Sequence, residues 1–350
     1  LVETDGLSLQ QAHAAFVAAA RRVAAHNRAG GARMLVESVF PVLWHPLAQA
    51  GVTLSPKLLK EDIHPVVLAM ALGASLQYGS DLWFSPDLWH IDQLPGHSVR
   101  EYAQALRIAE QAGVDKVYTE FVTCLVRWRG GEYDITPYGE ALRRHIAALA
   151  RRGARGYTHR DYRPEVAIVR FPDSDWGQAS CGYWNMLYGS PTLQSTPETR
   201  EWLGVWSLLT GGVTHPGAVN TNSGVYDRYL WQGVIPSPAV AVFDHTVGDA
   251  PLSSVRTLFV CGIEVSARTL EAVRRRVRAG ATCFISERLC PADVAAAVRS
   301  APGRVAEGRG AWIVVREFTR EGLGRWVSMV PAHGGAMRLR FGSRLVRAGE

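Results

Sequence analysis

Between Ala32 and Phe121 the chain repeats one unit: a short apolar run that ends near a carboxylate, a polar loop, then an amphipathic helix. Repetition of that unit is the signature of β/α alternation, because successive parallel strands need a crossover helix to return the chain. The sharpest instance is Ser98 three residues ahead of Glu101, a capping-box spacing, with Gly113 placed to stop the helix before the run Lys116 to Phe121.

Ser8 and Gln11 repeat the capping signature for a helix from Leu9 to about Asn27, where Leu9, Phe16, Ala20 and Val23 share a face and Gly30 and Gly31 follow. Thr136 and Pro137 open another, striped by Ala141, Leu142, Ile146 and Leu149. Strands are expected at Leu1 to Asp5, Ala32 to Ser38, Ser75 to Phe84 and Lys116 to Phe121. A loop with Trp44, His45 and Lys57 and a helix through Val66 to Leu72 fall between the second and third of these.

The arginine-rich stretch Arg151 to Arg163 reads as a linker, after which the alternation restarts. Strands are expected at Val166 to Phe171, Ala239 to Phe243, Val255 to Val260 and Ala281 to Ser286. Helices are expected at Pro197 to Leu209, behind Thr196, and at Ser266 to Gly280. Apolar runs of this kind, separated by helices, imply a parallel sheet covered on both faces. The alternating runs Trp312 to Val315 and Met337 to Phe341 suggest a β-rich end. The expected division is therefore a β/α-barrel unit over residues 1–160, a parallel-sheet unit over 161–310 and a β-rich tail over 311–350.

Composition narrows the partners. The formal charge is +6, yet only three of the 38 basic side chains are lysines, and runs such as Arg274 to Arg276 sit on helices whose other face is apolar. A solvated helix face accounts for them, so no nucleic-acid partner is expected. Val66 to Leu76, the longest apolar stretch, is far short of the roughly 20 residues of a membrane helix. Leu1 to Gln10 carries acids where a leader would be basic, although the chain starts at Leu1 and not at methionine. The expectation is no membrane, a cytoplasmic setting and a chain that is a fragment of a longer protein. Five widely spaced cysteines without a C-x-x-C pair read as free thiols. No H-E-x-x-H, His-x-His or glycine-rich phosphate loop is present, so neither a metal nor a cofactor is expected.

In a β/α barrel, chemistry stands at the C-terminal ends of the strands. The carboxylates expected there are Glu37, Asp81 and Glu120. Cleavage of a glycosidic bond needs two carboxyl groups flanking it, one to protonate the leaving oxygen and one to act from the other side. The stretch Tyr78 to His90 alternates acids with large aromatics, as a sugar-binding rim requires. Tyr78, Trp83, Asp87 and Trp89, with His97 in the turn before Ser98, are the candidate substrate contacts.

Thr136-Pro137-Tyr138-Gly139-Glu140, the strand start Pro164 to Val169, and the later Cys261-Gly262 and Gly280-Ala281-Thr282 occur in an order that resembles barrel glycosidases of the family 42 beta-galactosidase type. That resemblance implies the C-terminal part of a (β/α)8 TIM barrel followed by a flavodoxin-like, amidotransferase-like domain through which subunits assemble. It implies a carbohydrate substrate and a homo-oligomer. Ser75 to Phe84 and Lys116 to Phe121 would be the last two barrel strands, with Asp81 standing where the family has its nucleophilic glutamate and the acid/base partner upstream of Leu1. Cys283 falls inside its strand, with Ser286-Glu287 at the elbow, so the second unit reads as structural and not as a working amidotransferase. The alternative to a hydrolase is a carbohydrate-binding or assembly protein with a degenerate site.

Overall fold

The computed structural model describes residues 2–38, 41–58, 65–88, 98–120, 122–153, 156–175, 186–210, 239–300, 303–331 and 337–341. The first part runs α1 (Leu9–Ala29), β1 (Leu35–Ser38), α2 (Trp44–Gln49), β2 (Thr53–Leu58), α3 (Pro65–Tyr78), β3 (Trp83–Pro86), α4 (Val99–Ala112) and β4 (Lys116–Val117). The four strands pair in parallel in the order of the sequence. Crossovers of one hand between sequential neighbours put the helices on one face of such a sheet. The sheet is open, and no closed barrel forms among the described residues.

Local chemistry explains the helix ends. Ser8 and Gln11 cap α1 reciprocally, Ser98 and Glu101 do the same for α4, and Gly113 ends α4 in the left-handed region at φ 72°. Thr136 caps α5 (Pro137–Arg152), with proline in its first turn. Ahead of α5 stands a hairpin of β5 (Val126–Arg129) and β6 (Glu132–Ile135).

Three expectations for this part change. Leu1 to Asp5 forms no strand among its described residues. Ser75 to Tyr78 belongs to α3, so the strand expected from Ser75 begins only at Trp83. The loop expected to carry Trp44, His45 and Lys57 is instead a helix, Trp44–Gln49, and a strand, Thr53–Leu58. The second of these follows from burial: α3 is apolar nearly all round because it lies between two sheets, which removes the periodic stripe that marks a surface helix.

The second part contains β7 (Val166–Arg170), α6 (Glu201–Leu209), β8 (Val240–Asp244), α7 (Asp249–Leu252), β9 (Thr257–Val260), α8 (Ala267–Arg278), β10 (Thr282–Ser286), α9 (Ala292–Ser300), β11 (Arg304–Glu307) and β12 (Gly310–Val315). Its six-stranded sheet has the order β11-β12-β10-β9-β7-β8, parallel except for the edge pair β11 and β12. Side chains alternate between two cores. Val166, Ile168, Val240, Val242 and Phe259 join the core that includes α3 and α6, while Ala167, Val169, Phe243, Leu258 and Val260 join the core under α8. That two-sided burial is why these strands read as unbroken apolar runs.

Trp312 to Val315, expected in a separate tail, lies inside this sheet as part of β12, paired in parallel with β10. The tail proper is α10 (Arg320–Gly324) and a two-stranded antiparallel pair, β13 (Val327–Pro331) with β14 (Met337–Phe341). No helix among the described residues is long and apolar enough to cross a membrane.

Candidate functional site

A side chain two residues along a strand points to the same face, so the register of the first sheet decides which groups meet. Glu37 is opposite Ser55, Lys57 opposite Ser85, and Asp87 opposite Glu120. Ser55 with Lys57, Ser85 with Asp87, and Tyr118 with Glu120 are each two residues apart. One face of the sheet is therefore polar, and its charged members gather where the strands end. The other face is apolar, with Leu54, Leu58, Leu82 and Phe84 in the core.

Lys57 is the hub. Its Nζ donates to Glu120 and, at 3.0 Å, to Asp87 Oδ2, and lies 3.5 Å from Glu37 Oε1. The Lys57 side chain is only 10% exposed and that of Asp87 1%. Burial alone would push the ammonium down, but Glu120, Asp87 and Glu37 outweigh it and hold Lys57 above its usual range. For Glu120, burial pushes the carboxyl up, and hydrogen bonding and charge from Lys57, then Asp87 and Glu37, win and hold it below the usual glutamate range. Tyr118 completes the wall: it accepts a hydrogen bond from Ser55 Oγ at 3.3 Å. Burial raises its hydroxyl, opposed by Ser55 and aided by the Glu37 charge.

The sequence-predicted residues divide by position. Glu37, Asp87 and Glu120 meet at the strand exits. Asp81 does not join them: it precedes β3, at the entrance of the sheet, where Arg33 and Arg160 each bind it at 2.8 Å. The displacement follows directly from the later start of β3. Tyr78 turns to the second part, where its hydroxyl donates to Asp244 at the end of β8, while Gln77 Nε2 donates to the same carboxylate at 2.5 Å. Tyr78 and Asp81 line a cleft of about 330 Å³ with Arg28 and Arg33, at the end of the sheet away from Lys57. Trp83 opens β3, with Lys116 Nζ 4.6 Å from its ring centre and Tyr118 edge-on at 6.2 Å. Trp89 and His97 lie outside the described residues.

Lys57 is the functional group that the sequence pattern missed, along with Tyr118 and the two serines beside it. The available signal is that β2, Thr-Leu-Ser-Pro-Lys-Leu, alternates in side-chain character, although a proline such as Pro56 inside a run weighs against a strand. Among the described residues, no group of three or more His, Cys, Asp or Glu is placed to hold a metal ion, and the Lys57 ammonium occupies the space between the carboxylates. In the second part Cys261 and Cys283 are wholly buried, and burial pushes both thiols well up, which keeps them protonated.

No family model matches the chain, and a search of curated proteins returns no match.

Proposed function

We propose that the chain carries the carboxylate rim of a glycoside hydrolase, with Glu120 and Asp87 as the acting pair and Glu37 and Lys57 setting their charge. The observation that supports this reading most is convergence: carboxylates from the exits of β1, β3 and β4 meet around one lysine on β2, the strand between β1 and β3. A (β/α)8 barrel would use that polar face as its inner wall. The strand order of the second sheet, with β7 between β8 and β9 and then β10 and β12, is the 2-1-3-4-5 order of flavodoxin-type domains, which favours the two-part reading given above.

The chemistry asked of the rim is the stabilisation of positive charge on a sugar ring as the glycosidic bond breaks. Three carboxylates against one ammonium leave the rim net negative, as that charge requires. A carboxylate held ionised beside Lys57 suits a nucleophile or charge stabiliser.

One observation favours a second reading, a carbohydrate-binding protein without turnover. Lys57 is bonded to both Asp87 and Glu120 at once, a closed ion-pair network that would also serve as a rigid rim. Hydrolysis of a panel of aryl glycosides and natural oligosaccharides decides between them. Release of one sugar, lost in Glu120→Gln, establishes the hydrolase; saturable sugar binding without release establishes the second reading.

A further inference from the structure

We infer that the β5–β6 hairpin is a stacking platform for a sugar ring of a longer chain, adjoining the carboxylate rim. This rests on the carbohydrate reading above but not on turnover.

The hairpin follows Glu120 directly, and its root is tied to the neighbouring strand exit: Cys124 Sγ lies 3.7 Å from the carbonyl oxygen of Leu88, the residue after Asp87. Its two faces differ. Arg127 faces Asp134 and Arg129 faces Glu132 across the strands, so one face consists of opposite-charge pairs. On the other, Trp128 faces Tyr133, their ring centres 4.7 Å apart and their planes inclined at 64°. Two large aromatic rings normally go to a core. Here Trp128 is 61% exposed and Tyr133 70%, with Ile135 at 58% beside them.

Size decides what covers them. The apolar face comprises Val126, Trp128, Tyr133 and Ile135, and a stable protein interface buries about 800 Å² on each partner, spread over roughly 20 to 30 residues. Four side chains on a two-residue-wide ribbon fall well short of that. A pyranose ring matches them better: its C–H face covers one aromatic ring while its hydroxyl edge stays in solvent. The occupant assigned is therefore an oligosaccharide whose scissile or bound end lies at Glu120 and whose outer sugar rests on Trp128.

The test is calorimetric titration of the full chain with gluco-, galacto- and xylo-oligosaccharides of increasing length, against Trp128→Ala and Trp128→Phe. The expected result is an affinity that rises with length in the wild type. Trp128→Ala should weaken binding of the longest chains about tenfold, the scale of one aromatic contact with its area burial. Trp128→Phe should keep most of the gain, and equal thermal melting of the variants shows that the fold is retained. Absence of any length dependence, or an alanine variant that binds as the wild type does, overturns the inference. So does sedimentation showing that the wild type self-associates and Trp128→Ala does not while sugar affinity is unmoved, which would make the hairpin a contact between copies. Binding that depends on Trp128 without any hydrolysis would sink only the catalytic reading. Hydrolysis that depends on Glu120 with no effect of Trp128 would sink only the platform.

Discussion

Lys57 Nζ donates to Asp87 Oδ2 at 3.0 Å, joining the ends of two adjacent parallel strands through a carboxylate that is almost completely buried. Removing one member of such a pair leaves the other charged and dry, at a cost of about 3 to 5 kcal/mol. Glu120 is 40% exposed and water screens its share, so the lower end applies. Lys57→Met is expected to lose about 3 kcal/mol in urea unfolding at neutral pH, and Lys57→Met with Asp87→Asn to recover a good part of it. Glu120 is held below the usual glutamate value of 4.5, so its contribution is present above that pH and fades as pH falls through the depressed folded value. The gap between wild type and Lys57→Met should accordingly narrow in acid; a gap that is constant with pH would refute the charge network.

Asp81 and Asp87 provide a clean contrast, since both are aspartates flanking β3 and only Asp87 is at its exit. Asp81 binds Arg33, whose side chain is 83% exposed, and Arg160, and surface pairs of this kind contribute about 0 to 1 kcal/mol. Asp81→Asn should leave both turnover and melting temperature close to wild type, whereas Asp87→Asn should reduce turnover by orders of magnitude. Loss of turnover in Asp81→Asn would return the site to the other end of the sheet.

The contrast also shows where the sequence is legible. Caps and glycine stops located α1, α4 and α5 because those signals are local: Ser98, Glu101 and Gly113 act within one turn of the backbone. The β7 to β10 runs were legible because strands buried on both faces are apolar without interruption. Around the site the signals conflict. Pro56 and Pro86 stand inside strands, and α3 has no polar face because sheets cover both of its sides. Placing the start of β3 at Ser75, eight residues ahead of Trp83, was enough to exchange Asp81 for Asp87 at the exit. Lys57 could be recognised only from its partners, which come from three other strands.

The junction between the two parts should respond to acid. His13 and His45 are buried there, His13 Nδ1 is 2.9 Å from the Tyr188 hydroxyl, and His45 Nε2 is 2.9 Å from the Val242 carbonyl. Burial is the main cause that lowers each from 6.5 to about 4. A depressed folded value means that stability is complete above 6.5 and is lost as pH falls toward 4, because the unfolded chain takes up the protons first. Linkage puts the loss at about 3 kcal/mol for each histidine. Unfolding midpoints should fall steeply across that window, and His45→Gln should flatten the slope. A slope unchanged by His45→Gln would mean that other groups carry the acid response.

Gly73 lies on the face of α3 that rests against β8, and its lack of a side chain is what permits the approach. A Cβ built there would stand 1.7 Å from the Val242 carbonyl oxygen and 2.6 Å from its carbonyl carbon, closer than real atoms come. Glycine to alanine inside a helix ordinarily stabilises by about 1 kcal/mol, since alanine loses less backbone freedom on folding. Here the backbone of β8 would have to move away, and with it the Val242 oxygen that His45 contacts and the Asp244 carboxylate that takes the Tyr78 hydrogen bond. Overpacking of this kind costs about 1 to 3 kcal/mol, enough to reverse the helix preference. Gly73→Ala should therefore lower the melting temperature and weaken the protection of Asp244 and Val242 amides from hydrogen exchange. A stabilised Gly73→Ala protein would show that α3 and β8 do not pack this closely, and the junction between the two parts would have to be redrawn.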